Sequence, residues 1–262
     1  MSMLEKDYRK LYQTQDKILL ALKPVLSSFY LTGGTALGRF YLNHRFSEDL
    51  DFFINKSDTF RSSVKNIEKV LVNKFSLLKH ESIVYDDFVR YYIEDEEMAL
   101  KIEFVNDIAY RCGVPNIYQY GFVDTPLNIL TNKLTAIVGR DEPKDVFDIC
   151  SMAQHYMFNW LEVFDEAKNK AIINEIDVEQ RIKSFPVDLF RKVDWHILPV
   201  DIASVSKAIQ SLANDFLLGS DNSLGANKPS IEDAMVISPT RNDKHCYPLD
   251  NRGNRPALLS EG

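Results

Sequence analysis

The sequence has few cysteines, a shortage of positive charge and no long hydrophobic run. Its 262 residues include three cysteines, an odd number without CxxC spacing, so we expect neither a disulfide framework nor a zinc site, and a reducing cytoplasm fits best. The formal net charge of −7 argues against a surface that binds nucleic acid all round, but it allows a local basic patch. The charged N-terminus does not resemble a signal peptide, and no apolar run is long enough to cross a bilayer. We therefore expect a cytoplasmic protein with no membrane segment.

A phosphate-binding P-loop is also missing. The motif G-x-x-x-x-G-K-[ST] does not occur, which argues against a P-loop NTPase. His44 and His80 have no partner at metal-ligand spacing, and we expect structural roles for all five histidines. The hydrophobic fraction of 45% is enough to fill a real core.

Hydrophobic periodicity predicts an α/β arrangement in the first half of the chain. The predicted helices span residues 3–28, 35–44 and 59–75. The predicted strands span residues 29–32, 49–54, 77–84, 88–94 and 98–105, with an edge strand at 118–123. This order indicates a mixed β-sheet with helices packed on it, which is an α+β fold.

The second half is predicted to be helical. The predicted helices span residues 127–138, 146–156, 160–171, 178–185 and 202–218. We divide the chain into an α/β core at 1–125, a helical C-terminal domain at 126–219 and a tail at 220–262. The tail is rich in Ser, Asn, Gly, Pro, Asp and Arg and lacks a sustained apolar period, which is typical of a poorly ordered segment.

One stretch of the first half carries the pattern expected for nucleotide chemistry. A short apolar run ends in the glycine-glycine-threonine turn at 33–35, where backbone N–H groups and a helix N-terminus can approach an anion. Asp49 and Asp51 are two positions apart on a strand, so they project to the same face. Such carboxylates repel each other unless a cation neutralises them, and Mg²⁺ prefers oxygen ligands and shares its shell with substrate phosphates. The alternative is a pair of solvated acids at the start of a strand.

A third carboxylate is expected on a neighbouring strand. Alternation places Glu103 with Lys101 on one face of the strand, while Ile102 and Phe104 face the core. Glu103 is therefore the candidate for a further metal ligand or a general base, and Asp107 is a weaker one. An outward-facing strand glutamate explains the same pattern equally well.

The third group of charges lies on two predicted helices. Lys133 and Arg140 lie along one side of the first helix, and Asp145 and Asp148 share a face of the next. Lys and Arg near a triphosphate neutralise the charge that develops on leaving pyrophosphate, and a nearby acid can orient the lysine. On these residues alone, a surface salt-bridge network between the helices is the favoured alternative.

Taken together, these motifs resemble the AbiEii/AbiGii-type toxin family of the DNA polymerase β-like nucleotidyltransferase superfamily. The similarity covers about residues 19–155, and the residues that carry it are Gly33-Gly34-Thr35-Ala36-Leu37, the segment from Arg45 to Phe52, Lys133, Arg140, Lys144, Asp145 and Asp148. The resemblance implies a nucleotidyltransferase-like mixed sheet with a helical C-terminal region. It also implies transfer of a nucleotide from an NTP with Mg²⁺ or Mn²⁺. Family members are toxins neutralised by a partner antitoxin, and some modify the acceptor end of tRNA, so tRNA or another RNA is the expected acceptor.

Residue roles follow from the resemblance by motif position. The expected substrate and phosphate contacts are Gly33, Gly34, Thr35, Arg45, Arg140 and Asp148. The expected metal ligands are Asp49, Asp51 and Glu103, and Lys133 and Asp145 complete the catalytic set. The sequence departs from the family pattern at Gly34, where the wider superfamily commonly has serine, so Thr35 or backbone N–H groups must replace the serine contact. Glu103 replaces an aspartate, and its longer side chain shifts the position of a general base.

Two other functions remain open from the sequence. One is a catalytically silent module that binds a nucleotide or a partner through the same fold. The intact Asp49, Asp51 and Lys133 argue against it, because a silent descendant has no chemical reason to keep all three. The other is a transferase that modifies a protein side chain, which the sequence does not distinguish from modification of RNA.

Overall fold

The computed structural model describes residues 8–95 and 98–237, and it begins with helix α1 (Tyr8–Leu22). The apolar side of α1 is buried, with Leu11 and Ile18 in the core. A 3-10 turn at Lys23–Val25 contains Pro24, which has no N–H to continue the helix. The helix therefore ends earlier than the predicted 28, and residues 3–7 of the prediction lie outside the described residues.

The described part of the chain contains one mixed sheet of eight strands. They are β1 (Tyr30–Thr32), β2 (Leu50–Asn55), β3 (Ser76–Leu77), β4 (Ile83–Val84), β5 (Phe88–Asp95), β6 (Met98–Asp107), β7 (Asn116–Tyr118) and β8 (Gly121–Val123). The strand order is β3-β5-β6-β2-β1-β8-β7, and β4 pairs with β5. β2 is parallel to β6 and β1 is parallel to β8, whereas β1–β2, β5–β6 and β7–β8 are antiparallel. The predicted mixed sheet is confirmed.

The central strand β2 shows why the sequence folds into this sheet. Leu50, Phe52 and Ile54 are buried on one face, whereas the residues between them are only half-buried. Phe52 stacks on Phe104 of β6 with ring centroids 5.3 Å apart. The alternation therefore fixes which face of β2 carries Asp51, because a slip of one residue would bury the polar face.

Helices cover the sheet and make up the C-terminal region. They are α2 (Gly33–Leu37), which continues as a wider π-helical turn at Gly38–Leu42, α3 (Phe60–Lys74), α4 (Pro126–Gly139), α5 (Pro143–His155), α6 (Trp160–Lys168), α7 (Glu175–Lys183) and α8 (Ile202–Leu218). Thr125 caps α4 by accepting a hydrogen bond at 3.3 Å from the backbone N–H of Asn128. The predicted fold class, a mixed sheet with flanking helices and a helical C-terminal region, is confirmed. No helix within the described ranges has the length and apolar character needed to span a bilayer.

Two predicted strands differ from the structure. The prediction of one strand at 77–84 is wrong, because a 3-10 turn at Lys79–Glu81 separates β3 from β4. The side chains of this turn are polar and exposed, so they offer no face to bury in a sheet. The predicted edge strand at 118–123 is instead a hairpin that turns before Gly121 (φ +133°). Its second strand, β8, lies inside the sheet beside β1, and β7 forms the edge.

The segment after α8 is more ordered than its composition predicts. Asn222 is buried and its Nδ2 donates to the carbonyls of Ala153 (2.7 Å) and Tyr156 (2.8 Å). Ile231 is also buried in the core. Single anchoring residues hold this segment without any apolar period, so the prediction of a poorly ordered tail is wrong for residues 220–237. Residues 238–262 lie outside the described residues, and the division into domains stays a prediction.

Candidate active site

The candidate site lies where β1 ends and α2 begins. Thr32, the last residue of β1, pairs with Asp51 of β2, which brings Asp51 beside the first turn of α2. Gly33 has a φ of +69°, which favours glycine, and a β-carbon there would lie 2.7 Å from Asp51 Oδ2. Glycine is therefore required at 33 both by the backbone conformation and by the carboxylate next to it.

Gly34 is required for a different reason. A β-carbon at Gly34 would collide with Nη2 of Arg45 and would lie 2.9 Å from Oγ of Ser47. The space that a serine side chain would occupy at 34 is thus already filled by these two side chains. This explains why the chain has Gly-Gly where the wider superfamily commonly has Gly-Ser.

Thr35 does not offer its hydroxyl to a ligand in this structure. The residue is fully buried, and its Oγ1 donates a hydrogen bond to the backbone carbonyl of Asp49. The hydroxyl therefore fixes the segment that carries the first aspartate. The sequence predicted that either Thr35 or backbone N–H groups replace the serine contact. Because the Thr35 hydroxyl is already used, the backbone N–H groups of residues 33–35 remain as the candidates.

Three carboxylates meet on neighbouring strands. Asp51 and Glu103 are register partners on β2 and β6, and Asp49 immediately precedes β2. Burial, followed by the negative charges of Asp49 and Glu103, raises the pKa of Asp51 to about 7. Among residues 8–95 and 98–237, however, no three acidic, histidine or cysteine side chains are arranged as a ready metal-binding group. The predicted set of Asp49, Asp51 and Glu103 is close together but is not preformed as a three-ligand site.

Two cations bind Glu103 and explain why it does not form a ready three-ligand metal site with Asp49 and Asp51. Arg90 contacts Oε1 of Glu103 at 2.6 Å, and Nζ of Lys101 lies 3.3 Å from the same oxygen. Lys101 also lies 3.0 Å from Oδ2 of Asp49, so its ammonium bridges the two acids. Partial burial lowers the pKa of Lys101, but the charge of Asp49 raises it, and the net shift is upward. This side chain therefore stays protonated. Lys101 is absent from the predicted site residues, although the strand alternation that places it on the same face as Glu103 was a signal that could have indicated it.

Lys133 and Asp145 form a buried ion pair next to the carboxylates of the site. Nζ of Lys133 lies 2.6 Å from Oδ1 of Asp145 and 2.8 Å from Oδ2 of Asp148, and the lysine side chain is only 10% exposed. Burial raises the pKa of Asp145, but the charge of Lys133 and hydrogen bonds from Arg140 and Lys133 bring it below its usual value. The group is therefore not the solvated surface network that spacing alone favours.

Arg140 is the exposed cation of this group. It follows the last residue of α4, its Nε lies 2.7 Å from Oδ2 of Asp145, and its side chain is 59% exposed. Lys133 and Arg140 are both near enough to Asp51 for their charges to interact with its carboxylate. Lys133, Arg140 and Asp51 thus belong to one electrostatic site.

Arg45 and Asp148, both expected to contact substrate, are instead buried beneath the site. Nε and Nη2 of Arg45 bind the two carboxylate oxygens of Asp148 at 2.6 and 2.7 Å, and the residues are 2% and 0% exposed. Nε2 of His44 is 2.8 Å from the same carboxylate. Burial raises the pKa of Asp148, but the charges of Arg45 and Lys133 hold it well below its usual value. These residues connect the loop before β2 to α5, and they support the site without facing it.

Helix α1 holds the other side of the same loop, which the sequence did not indicate. Gln15 is buried, and its Nε2 donates to the carbonyls of Ser47 (3.0 Å) and Glu48 (3.2 Å). The hydroxyl of Tyr12 accepts a hydrogen bond from the backbone N–H of Ser47. These contacts fix the backbone directly before Asp49, and no motif in the sequence marks such a long-range contact.

Comparison with known proteins gives a family match and a structural likeness. A family model described as "Nucleotidyl transferase AbiEii toxin, Type IV TA system" matches residues 17–196. The crystal structure of JHP933 from Helicobacter pylori is 23% identical, with a TM-score of 0.55, and the match covers 82% of this chain and 94% of that chain. A second H. pylori structure is also 23% identical, with a TM-score of 0.53 and coverage of 82% and 96%. These two likenesses show a shared fold.

A more distant structure is the nucleotidyltransferase toxin MenT4 from Mycobacterium tuberculosis. It is 17% identical to this chain, with a TM-score of 0.48, and the match covers 83% of this chain and 86% of that chain. No curated protein sequence matches the chain.

Proposed function

Because the chain belongs to the nucleotidyl transferase AbiEii toxin family, we propose that it transfers a nucleotide from an NTP to RNA with Mg²⁺ or Mn²⁺. The family makes it a nucleotidyltransferase toxin, and we propose that a cognate antitoxin neutralises it. The observation that carries the proposed chemistry is the position of Asp51. It lies against Gly33 at the start of α2, between the other acids and within electrostatic reach of Lys133.

Asp49 and Asp51 fit a divalent metal ion. Both offer carboxylate oxygens, which Mg²⁺ and Mn²⁺ prefer, and Asp49 is partly exposed to an incoming substrate. Burial and the nearby charges of Asp49 and Glu103 raise the pKa of Asp51, and a divalent cation bound beside it would offset both effects. When bound, such an ion supplies positive charge against the triphosphate.

Backbone groups and Arg140 are assigned to the phosphates. The N–H groups of residues 33–35 lie at the start of a helix, where anions bind favourably. Thr35 takes part through its backbone only, since its hydroxyl is used by Asp49. Arg140 is exposed and held by Asp145, so it can reach the triphosphate without losing its orientation. Arg45 and Asp148 are positioning residues in this scheme.

The proposed transfer step uses Glu103 and Lys133. The oxygen of the acceptor hydroxyl attacks the α-phosphorus and forms a new P–O bond, while the bond to the bridging oxygen of the β-phosphate breaks and pyrophosphate leaves with its electrons. The hydroxyl proton passes to Glu103, for which we assign Oε2, because Arg90 and Lys101 occupy Oε1. Lys133, oriented by Asp145, offsets the negative charge of the departing pyrophosphate.

RNA is the proposed acceptor, with tRNA first, on the strength of the family resemblance. With a net charge of −7, the chain must bind RNA through a local surface. Lys65, Lys69 and Lys74 are exposed on α3, which ends where β3 begins, and they are the candidates for such a surface.

Transfer of label from NTPs tests this function. The protein is incubated with each α-³²P-labelled NTP, Mg²⁺ and either total RNA or cell protein, beside an Asp49→Ala/Asp51→Ala double variant. Label should enter RNA with the wild type only, and purified tRNA should serve as the acceptor. Label transfer that survives the double substitution would refute the assigned residues. Label in the protein fraction instead of RNA would refute the acceptor.

An Asp58→Ala variant is the matched control, because Asp58 is an exposed aspartate in the turn after β2 and outside the carboxylate group. It should transfer label at the wild-type rate.

A further inference from the structure

Lys101 lies between two of the three carboxylates of the site, those of Asp49 and Glu103. On β6 it stands two residues before Glu103, and parallel pairing places Glu103 beside Asp51. The register therefore sets Lys101 beside Asp49, and its ammonium is 3.0 Å from Asp49 Oδ2 and 3.3 Å from Glu103 Oε1. One fixed cation thus joins the first and third carboxylates of the group.

Glu103 is further neutralised from the opposite strand. Arg90 of β5 is the register partner of Glu103, and its guanidinium binds the same Oε1 at 2.6 Å. A carboxylate oxygen that already accepts from two cations is a poor ligand for a metal ion, because binding a metal there would displace both. Within residues 8–95 and 98–237, no lysine or arginine forms a salt bridge with Asp51, and its carboxylate lies against Gly33.

We propose that Lys101 is a built-in cation that replaces a second metal ion, so that the site binds one divalent ion through Asp49 and Asp51. The inference rests on the proposed function, because it concerns the same site. In two-metal sites the ions flank the attacking and leaving oxygens. Here the ammonium of Lys101 supplies a single permanent charge near Glu103, on the side where the acceptor hydroxyl is deprotonated.

Counting bound Mn²⁺ tests this without turnover. Mn²⁺ alone is titrated into the full-length protein, and bound ions are counted by electron paramagnetic resonance and by calorimetry. The wild type should bind one Mn²⁺ at the carboxylate site, and Asp49→Asn/Asp51→Asn should bind none there. Two ions per wild-type site would overturn the proposal.

Removal of the lysine charge gives the second readout. Lys101→Met should bind Mn²⁺ about tenfold more tightly, the order expected when one positive charge is removed a few ångströms from a divalent ion in a solvated site. Lys101→Gln keeps a hydrogen-bond donor for Asp49 but removes the charge, and it should show the same tightening. An unchanged Mn²⁺ affinity in both variants would overturn the proposal. At saturating Mn²⁺, both variants should lose kcat while the KM for NTP stays within about twofold.

A matched lysine controls for loss of charge in general. Lys17 pairs with Asp95 at 3.3 Å and touches none of the site carboxylates, so Lys17→Met should leave the Mn²⁺ affinity unchanged. Thermal unfolding of each variant verifies that it is folded during the titration. Failure of the proposed function would appear separately, as absence of nucleotide transfer by a wild type that still binds one Mn²⁺.

Discussion

Replacement of Arg45 by methionine tests whether the residue is a buried support or a phosphate ligand. Arg45→Met keeps much of the aliphatic volume but removes both hydrogen bonds to Asp148. Breaking a buried ion pair at one partner costs about 3–5 kcal/mol, because an uncompensated charge stays behind. Asp148 keeps Lys133 and His44, each at 2.8 Å, so we expect the lower end, about 3 kcal/mol.

This loss converts to a measurable change in melting temperature. At about 2–4 °C per kcal/mol for a domain of this size, Arg45→Met should unfold about 6–12 °C below the wild type in calorimetry at pH 7. Since the folded pKa of Asp148 is depressed, the stability it contributes is present above the unfolded pKa of about 4 and is lost as the pH falls through the folded value. The gap between variant and wild type should therefore narrow below about pH 4.

Arg61→Met is the matched control for this prediction. Arg61 is 64% exposed and pairs with the exposed Asp86, so its loss should cost less than about 1 kcal/mol. A melting temperature of Arg45→Met within 2 °C of the wild type would refute the buried support. An undiminished melting temperature together with a large rise in the KM for NTP would assign Arg45 to the phosphates.

Three further predictions concern the site. Gly34→Ala should lower both the melting temperature and nucleotide transfer, because the added β-carbon collides with Arg45. Gly139→Ala is the control, since its β-carbon meets nothing within 4 Å, and it should leave transfer unchanged. Equal effects of the two substitutions would contradict this prediction. Because the folded pKa of Asp51 is raised to about 7, this residue should increasingly destabilise the metal-free protein as pH rises from about 4 to 7, and chemical unfolding should show Asp51→Asn gaining stability relative to the wild type over that range. Lys133→Met should lower kcat by about 10²–10³-fold in single-turnover assays, and a normal rate would remove the lysine from the transfer step.

Local patterns were sufficient to predict most of the elements around the site. The alternation in β2 and β6 predicted that Asp51 and Glu103 project from their strands, and the helical period predicted α3 and α4 within a few residues. These signals are local because an amphipathic strand or helix must repeat its apolar residues at a fixed period. The tail segment at 220–237 has no such period and was mispredicted, since single side chains such as Asn222 anchor it.

The direction in which each charged side chain points could not be predicted in the same way. Arg45 lies in the same motif as Asp49, and only the fold shows that it turns inward to Asp148, 103 positions along the chain. The pairing of Lys101 with Asp49 depends on the register of two strands separated by more than 40 residues, which no spacing within either strand reveals. These contacts depend on long-range strand register and on burial, and a short sequence motif predicts neither.

In the proposed function, the site around Asp49 and Asp51 moves the nucleotide part of an NTP. The most direct measurement compares α-³²P- and γ-³²P-labelled NTP in parallel reactions with RNA, Mg²⁺ and either the wild type or Asp51→Asn. We expect α-label to enter RNA, γ-label to be released as pyrophosphate, and Asp51→Asn to abolish both. Transfer of γ-label to RNA, or α-label transfer that persists in Asp51→Asn, would contradict the proposed function.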